Sequence, residues 1–444
     1  MTPETDSHLR HDARYDAIII GAGVIGCAIA YNLAKRGYRT LNIDQLPAPG
    51  YGSTSSSAAV VRTYYSTLDG SALAYEGFFE WKNWPDYVAL PEDTDLAKLI
   101  ETGTLVMRTE GNDHLSRILE SADALKIAYE IWDAGQIQAA LPGYDLTCFA
   151  PVKTMDDDRF GEPAKGEITS AAYFPSGGYV DDPQLAARNL KTAAERAGGQ
   201  FLFNSKVTRI CVENGRAAGA ELADGRRVSR PIIVNVAGPH SAKVNALLDD
   251  DPGLNIQTRP LKQEVVQVQP PSNLGYTRQG LIVADDDVGV YVKPSGGGHL
   301  MIGSMNPPCD DPVLCDPDDF SRDLTDRALT YAYRYSQRLP ALGVSQHPAG
   351  LADLYDASDD WLPIYDKSDV PGYYMAIGTN GNQFKNAPVA GRMMADLIAY
   401  CENGADHDLE PLQFPLKQVR HTINTATFSR KRQPNNRSSF SVIG

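Results

Sequence analysis

Three glycines and one acid carry the clearest chemical signal in the chain. Gly21, Gly23 and Gly26 stand in the spacing GxGxxG, and Asp44 follows eighteen positions after Gly26. In such a pattern the first glycine makes a tight turn and the second lets backbone approach a pyrophosphate. The third lets a helix lie close on a strand, and the acid accepts ribose hydroxyls. A second stretch, GSTSSSAAVVR from Gly52 to Arg62, concentrates four serines and a threonine, so backbone and hydroxyls can both come close to something polar. Glycine and asparagine recur in GTNGNQFKNAP, Gly378 to Pro388, ahead of a helical pattern whose N-terminus would face whatever lies in front of it.

Other chemistries lack their residues. There is no GxSxG and no HExxH, which removes the serine-hydrolase elbow and the zinc-protease helix. The six cysteines are scattered, with no CxxC and no paired histidines nearby. Neither a disulfide framework nor a zinc site is supported, and a reducing cytoplasm is expected. The glycine-rich SGGGH, Ser295 to His299, sits between alternating strands without GK[ST] behind it, so it reads as a hairpin turn rather than a phosphate loop.

The elements that would position the glycine site are a short apolar run Ala17 to Ile20, a helical repeat closed by Gly37, and a second run Thr40 to Ile43 that ends in Asp44. That is a βαβ outline. Ala17 to Ala34 is apolar enough to compete as a signal-peptide core or a marginal membrane span. Asp12 and Asp16 stand where a signal peptide would be basic, and a span leaves the glycine spacing unexplained. No other stretch could cross a bilayer. At 444 residues the chain exceeds one ordinary core and predicts two domains, and 42% hydrophobic with 22% charged residues is globular composition. A net charge of -15 argues against nucleic acid or an anionic membrane as a partner.

Along the chain, residues 1–14 read as a polar, disordered leader. Ala72 to Asp133 mixes aromatic-rich helical patterns such as EGFFEWKNW with one strand, Gly103 to Arg108. Asp182 caps a helix with Pro183 in its first turn, and Gly198 and Gly199 end it. Two strands follow, with hairpin signals at Asn214-Gly215 and Asp224-Gly225, then a buried strand Ile232 to Val236 ending in Ala237-Gly238. KQEVVQVQP, GVYVKP and HLMIGSM read as antiparallel strands, Arg322 to Leu339 as a helix, and Val389 to Tyr400 as another. After Glu410 no acid appears while Lys417, Arg420, Arg430, Lys431, Arg432 and Arg437 do, a cationic tail expected to dock on its own domain or on a partner subunit, or to fray.

Several separated stretches, in order, resemble the D-amino acid oxidase superfamily of FAD-dependent oxidoreductases, in its sarcosine oxidase and glycine oxidase branch. They are IIIGAGVIGCAIAYNLAKRG with Asp44, GSTSSSAAVVR, GGYVDDPQLAARNLKTAAERAG, IIVNVAGPHS, VYVKPSGGGHLMIGS, LYDASDDWLPIYD and YYMAIGTNGNQFKNAPVAG. The resemblance implies an α/β fold with an α+β second domain: a Rossmann-like FAD domain with a central parallel sheet and a β-meander, and a smaller substrate domain on an antiparallel sheet. The expected division is 14–90, 171–250 and 347–410 for FAD, 91–170 and 251–346 for substrate, and 411–444 as the basic tail. The implied cofactor residues are Gly21, Gly23, Val24, Ile25, Gly26, Asp44 and Gln45; Ser53, Thr54 and Ser57; Val207 beside the adenine; Ala237 and Gly238 near the flavin; and Gly381, Asn382, Gln383, Phe384 and Lys385 at its pyrimidine end.

The same resemblance places Arg62 and Lys385 as a clamp on a substrate carboxylate, with Tyr64, Tyr65, Tyr291 and Tyr355 as candidate pocket walls. The implied activity is hydride transfer from the α-carbon of a small carboxylate-bearing amine, secondary or N-methyl, to flavin N5, with the imine then hydrolysed and oxygen or another acceptor taking the electrons. Asp353, or a neighbour in GLADLYD, stands where that branch links its flavin to cysteine, so non-covalent FAD is expected. Met301 stands at the position of an oxygen-activating lysine, and the chain reads AGLAD where glycine oxidase has an arginine, which makes glycine a poor substrate. Two alternatives are a 2-hydroxy acid dehydrogenase, with His240 or His299 as base, and a partner-dependent flavoprotein subunit, or homo-oligomer, using the basic tail as its interface.

Overall fold

A computed structural model describes residues 15–110, 112–272 and 280–443, so the leader 1–14 lies outside the described residues. The segment β1, Ala17–Ile20, is buried at every position and lies at the middle of a six-stranded sheet. A strand covered on both faces needs a continuous apolar run, and AIII supplies it. The sheet runs Ile364–Lys367, Tyr373–Ile377, Ile232–Asn235, β1, β2 (Thr40–Ile43) and Gln200–Leu202; all neighbours are parallel except the first pair. In register, Ile20 faces Ile43 on one side and Asn235 on the other, so the glycine turn, Asp44 and the Ala237-Gly238 end emerge at the same edge.

Helix α1, Val24–Lys35, is buried from Val24 through Ala34. It is apolar all round because the sheet covers one side while the helices Pro183–Arg196 and Ala387–Glu402 cover the other in one shared core. Burial inside a domain therefore explains the hydrophobicity that competes with a membrane reading, and no described helix is long and apolar enough to cross a membrane. The meander Val207–Glu213, Arg216–Leu222 and Arg227–Ser229 packs on the opposite face, with Asn214 at φ 52° and Gly215 at φ 72° forming the tight turn that Asn-Gly favours.

A second, nine-stranded sheet carries Thr258–Val268, Leu300–Ser304 and Val290–Pro294 as antiparallel neighbours, with Ala349–Ser358 along the other side of Thr258–Val268. SGGGH is the connection between Val290–Pro294 and Leu300–Ser304, as expected of a hairpin turn. The helix expected over Arg322 to Leu339 starts later, at Asp326–Arg338, because Thr325 caps it. The helix expected from Val389 starts earlier, at Ala387–Glu402, with Pro388 in its first turn.

The basic tail docks on its own chain. Arg430, fully buried, reaches Asp366, Asp369 and Asp408, and Arg432 holds Asp360. Buried Glu76, on helix α2 (Leu68–Lys82), accepts from the backbone N–H groups of Lys417, Gln418 and Val419 as well as from Arg392. The acids missing from the tail are supplied by the body it lies on.

Candidate active site

Gly21 closes β1 with its N–H on Ile43 O at 2.9 Å and φ of 117°, a left-handed backbone with no room for a Cβ against the Val236 carbonyl. Asp44 takes up the turn from the other strand: its Oδ2 accepts from Ala22 N at 2.7 Å and its Oδ1 from Leu46 N at 2.8 Å. Burial raises its carboxyl above the usual range against the pull of those two donors. The serine-rich loop folds onto the start of α1, where Thr54 Oγ1 accepts from Val24 N at 3.1 Å, and reaches the second sheet through Ser53 Oγ on Leu354 O, 2.8 Å, and Ser56 Oγ on Asp353 Oδ2, 2.5 Å. These residues line one cavity of about 710 Å³ that extends to Arg62, Tyr355 and Lys385.

At that far part the cations gather. Arg62 leaves the short strand β3, Val60–Arg62, with its guanidinium 4.6 Å from the centre of the Tyr65 ring; Lys385 Nζ lies 4.8 Å from the same ring. Tyr65 is fixed by its own hydroxyl, which donates to Asn382 O at 2.6 Å. Lys385 sits in a short 3₁₀ turn, Phe384–Asn386, anchored from outside: Trp81 Nε1 on α2 donates to Lys385 O at 2.7 Å, and the Trp81 ring stacks on Phe384. The aromatic block EGFFEWKNW is thus the brace of the lysine loop. Lys385 is 1% exposed, its Nζ donates to Asn382 O at 2.6 Å, and burial, with Arg62 nearby, pulls its ammonium well below the ordinary lysine range. Among the described residues neither cation forms an ion pair; Arg62 instead donates to the carbonyls of Tyr64 and Val442. Two cations so placed attract one anion.

The family described as FAD-dependent oxidoreductases matches residues 16–397. The chain belongs to that family. Glycine oxidase of Geobacillus kaustophilus is 26% identical over 398 residues, covering 88% of this chain and 95% of that protein; sarcosine oxidase subunit beta of Rhodobacter capsulatus is 24% identical, covering 87% and 85%. In fold it is similar to crystal structures of that Geobacillus glycine oxidase (TM-score 0.70, 22% identity, 95% and 99% covered) and of an L-proline dehydrogenase from P. horikoshii (0.70, 20%, 87% and 94%). It is an FAD-dependent amine or amino acid oxidoreductase, in the sarcosine and glycine oxidase-like branch.

The residues of this oxidoreductase fit FAD. A Cβ at Gly23, the N-cap of α1, would meet only the Thr54 hydroxyl, and Asp44 presents a partly buried carboxylate at the end of β2. Gln45, Ser57, Val207, Ala237, Gly238, Gly381, Asn382 and Gln383 line the same cavity, as do Tyr64, Tyr291 and Tyr355, whose phenols burial pushes up. Tyr65 stands behind, between the cations. Asp353 accepts from Ser56 Oγ and pairs with Arg322 at 2.9 Å.

Met301 is a correction. It is buried in Leu300–Ser304 opposite Lys293 and Gln267, on the same face of the sheet as the cavity-lining Val265 and Tyr291 but one step of two residues further along, and it is not among the cavity-lining residues. His240 lines the cavity beside Gln45 and Asp318, at the Asp44 end, and His299 is half-buried in its turn, outside the cavity lining. Sequence reasoning missed three participants. Asp356, fully buried with its Oδ2 accepting from Gly378 N at 2.6 Å, has its carboxyl pushed up to about 7 by desolvation. Val442 and Ile443 also line the cavity, and only the apolar VI after SSFS hinted that the tail ends in something buried.

Proposed function

We propose that the enzyme oxidises the C–N bond of a small carboxylate-bearing amine, secondary or N-methyl, to an imine that water hydrolyses. The observation that carries this is the meeting of Arg62 and Lys385, 323 residues apart in the chain, over one tyrosine ring, with no ion pair to either among the described residues. Their charge would be neutralised by the substrate carboxylate through charge-assisted hydrogen bonds, fixing the α-carbon in one place. The same positive field disfavours an ammonium, so the substrate amine is drawn towards its neutral, oxidisable form. Tyr64, Tyr291 and Tyr355 exclude water from the reacting carbon, and their raised phenols stay protonated and uncharged. FAD, held without a covalent bond, would accept the hydride. No protein base is required by this chemistry, and among the described residues no histidine stands beside Arg62 to serve a 2-hydroxy acid.

The test is anaerobic mixing of the FAD-loaded protein with N-methyl amino acids and, separately, with 2-hydroxy acids. Bleaching of the yellow colour by the amines supports the reading. Bleaching only by hydroxy acids would refute it, and bleaching by neither would favour a subunit that needs a partner.

A further inference from the structure

The last described residues do not end in solvent. Past the anchors Arg430 and Arg432 the chain turns at Phe440, whose φ of 50° is a left-handed backbone that an aromatic residue rarely adopts and whose ring is 46% exposed. Beyond it Val442 and Ile443 are buried at 7% and 2% against Tyr64, Met305 and Tyr355. The Val442 carbonyl accepts from the Arg62 guanidinium and, at 3.1 Å, from Asn382 Nδ2. A peptide carbonyl therefore already holds the guanidinium assigned above to a substrate carboxylate, and an aliphatic pair fills the space beside it.

We propose that residues 438–443 are an internal occupant of the carboxylate site, which a substrate must displace before it can reach Arg62. This rests on the clamp reading of Arg62 and Lys385. A neutral carbonyl makes a weaker partner for a guanidinium than a carboxylate does, so the exchange favours an anionic ligand and disfavours neutral amines. Elsewhere the segment is tied by neutral hydrogen bonds: Ser438 N donates to Asn435 O at 2.9 Å, Ser439 N donates to Ser66 Oγ at 3.2 Å, and Ser439 and Ser441 bond to each other. Its anchors at Arg430 and Arg432 lie outside it, so residues 438–443 can leave while the rest of the tail stays docked.

The experiment compares the FAD-loaded full chain with a form ending at Arg437, titrating 2-furoate, a carboxylate that cannot be oxidised, by calorimetry. If the segment occupies the site about 90% of the time, its removal tightens 2-furoate about tenfold, since apparent affinity is reduced by the competent fraction. Val442→Ser with Ile443→Ser in the full chain should move affinity in the same direction and covers the case in which the shortened form does not fold. In the full chain, saturating 2-furoate should expose residues 438–443 to a protease. Equal affinity in full and shortened chains, with binding abolished by Arg62→Ala, overturns the occupant and leaves the clamp standing. Weaker binding in the shortened chain overturns it too, because the segment would then be a wall of the site. If no form binds 2-furoate, clamp and occupant fall together.

Discussion

Lys385→Met separates a functional lysine from a structural one, because the two roles predict opposite signs. Methionine keeps the length and apolar bulk of the stem and loses only the ammonium and its bond to Asn382 O. That bond is worth about 1 kcal/mol net. Against it stands the burial of a cation without an acid. With the folded-state pKa lowered, the unfolded chain holds more protons than the folded one between that value and the ordinary 10.5, so this group makes stability rise with pH across the window. The variant should be at least as stable as the wild type at pH 7, with a flatter stability profile up to pH 10, read by thermal unfolding. Catalysis should move the other way. A hydrogen bond to a charged group contributes about 1.5–3 kcal/mol, so kcat/KM for N-methyl amino acids should fall about tenfold to about 150-fold. Methyl esters of the same amines should show no such loss. A melting temperature lowered by several degrees, with acid and ester turnover reduced equally, would refute the argument and make Lys385 a core residue.

Arg62→Ala should raise KM for carboxylate amines by a similar factor while FAD absorbance per protein is unchanged. In the wild type, kcat/KM for these substrates should fall as pH rises through the free-enzyme pKa of Lys385, since the carboxylate binds the protonated form; that limb should vanish in Lys385→Met. Asp44→Ala should weaken FAD binding, measured by fluorescence recovery on dilution, by removing the carboxylate that faces the cavity from β2. Asp356 is neutral in the fold up to about pH 7, so the folded protein keeps a proton that the unfolded chain releases from pH 3.8 upward. Stability should therefore decline across that window by at most about 4 kcal/mol at 1.36 kcal/mol per pH step. Asp356→Asn, which still accepts from Gly378 N, should flatten that decline; an unchanged slope would show that Asp356 is ionised throughout.

The six-stranded sheet was legible because a strand buried on both faces favours apolar residues on both, and AIII and the IIV of IIVN supply them at its centre. The glycine turn was legible because its geometry admits few residues. Arg62 and Lys385 were legible only through family resemblance: nothing local in AVVR or NQFK says that β3 and a 3₁₀ turn meet over Tyr65. Met301 was misplaced because a matching position in the chain does not say how far along a strand the cavity reaches: its face is that of Val265 and Tyr291, and the lining stops short of it. Asp356 was hidden because LYDASDDWLPIYD is acid-rich and gives no sign of which acid is buried, whereas in Ala349–Ser358, a strand of the second sheet, its side chain lies inside and accepts from Gly378 N. Residues 438–443 were read with the charges before them, and charge pattern says nothing of where a short apolar ending will insert.

Helix α2 holds the lysine loop through the Trp81 indole and the tail backbone through the Glu76 carboxylate, on the same rigid rod. Loosening the tail at Glu76 would therefore be felt at the Lys385 carbonyl without any direct contact between them. Amide exchange in residues 417–419 and in residues 383–386 should consequently speed up in concert when either end is disturbed, so that the outermost stretch of the molecule reports on the order of its innermost loop.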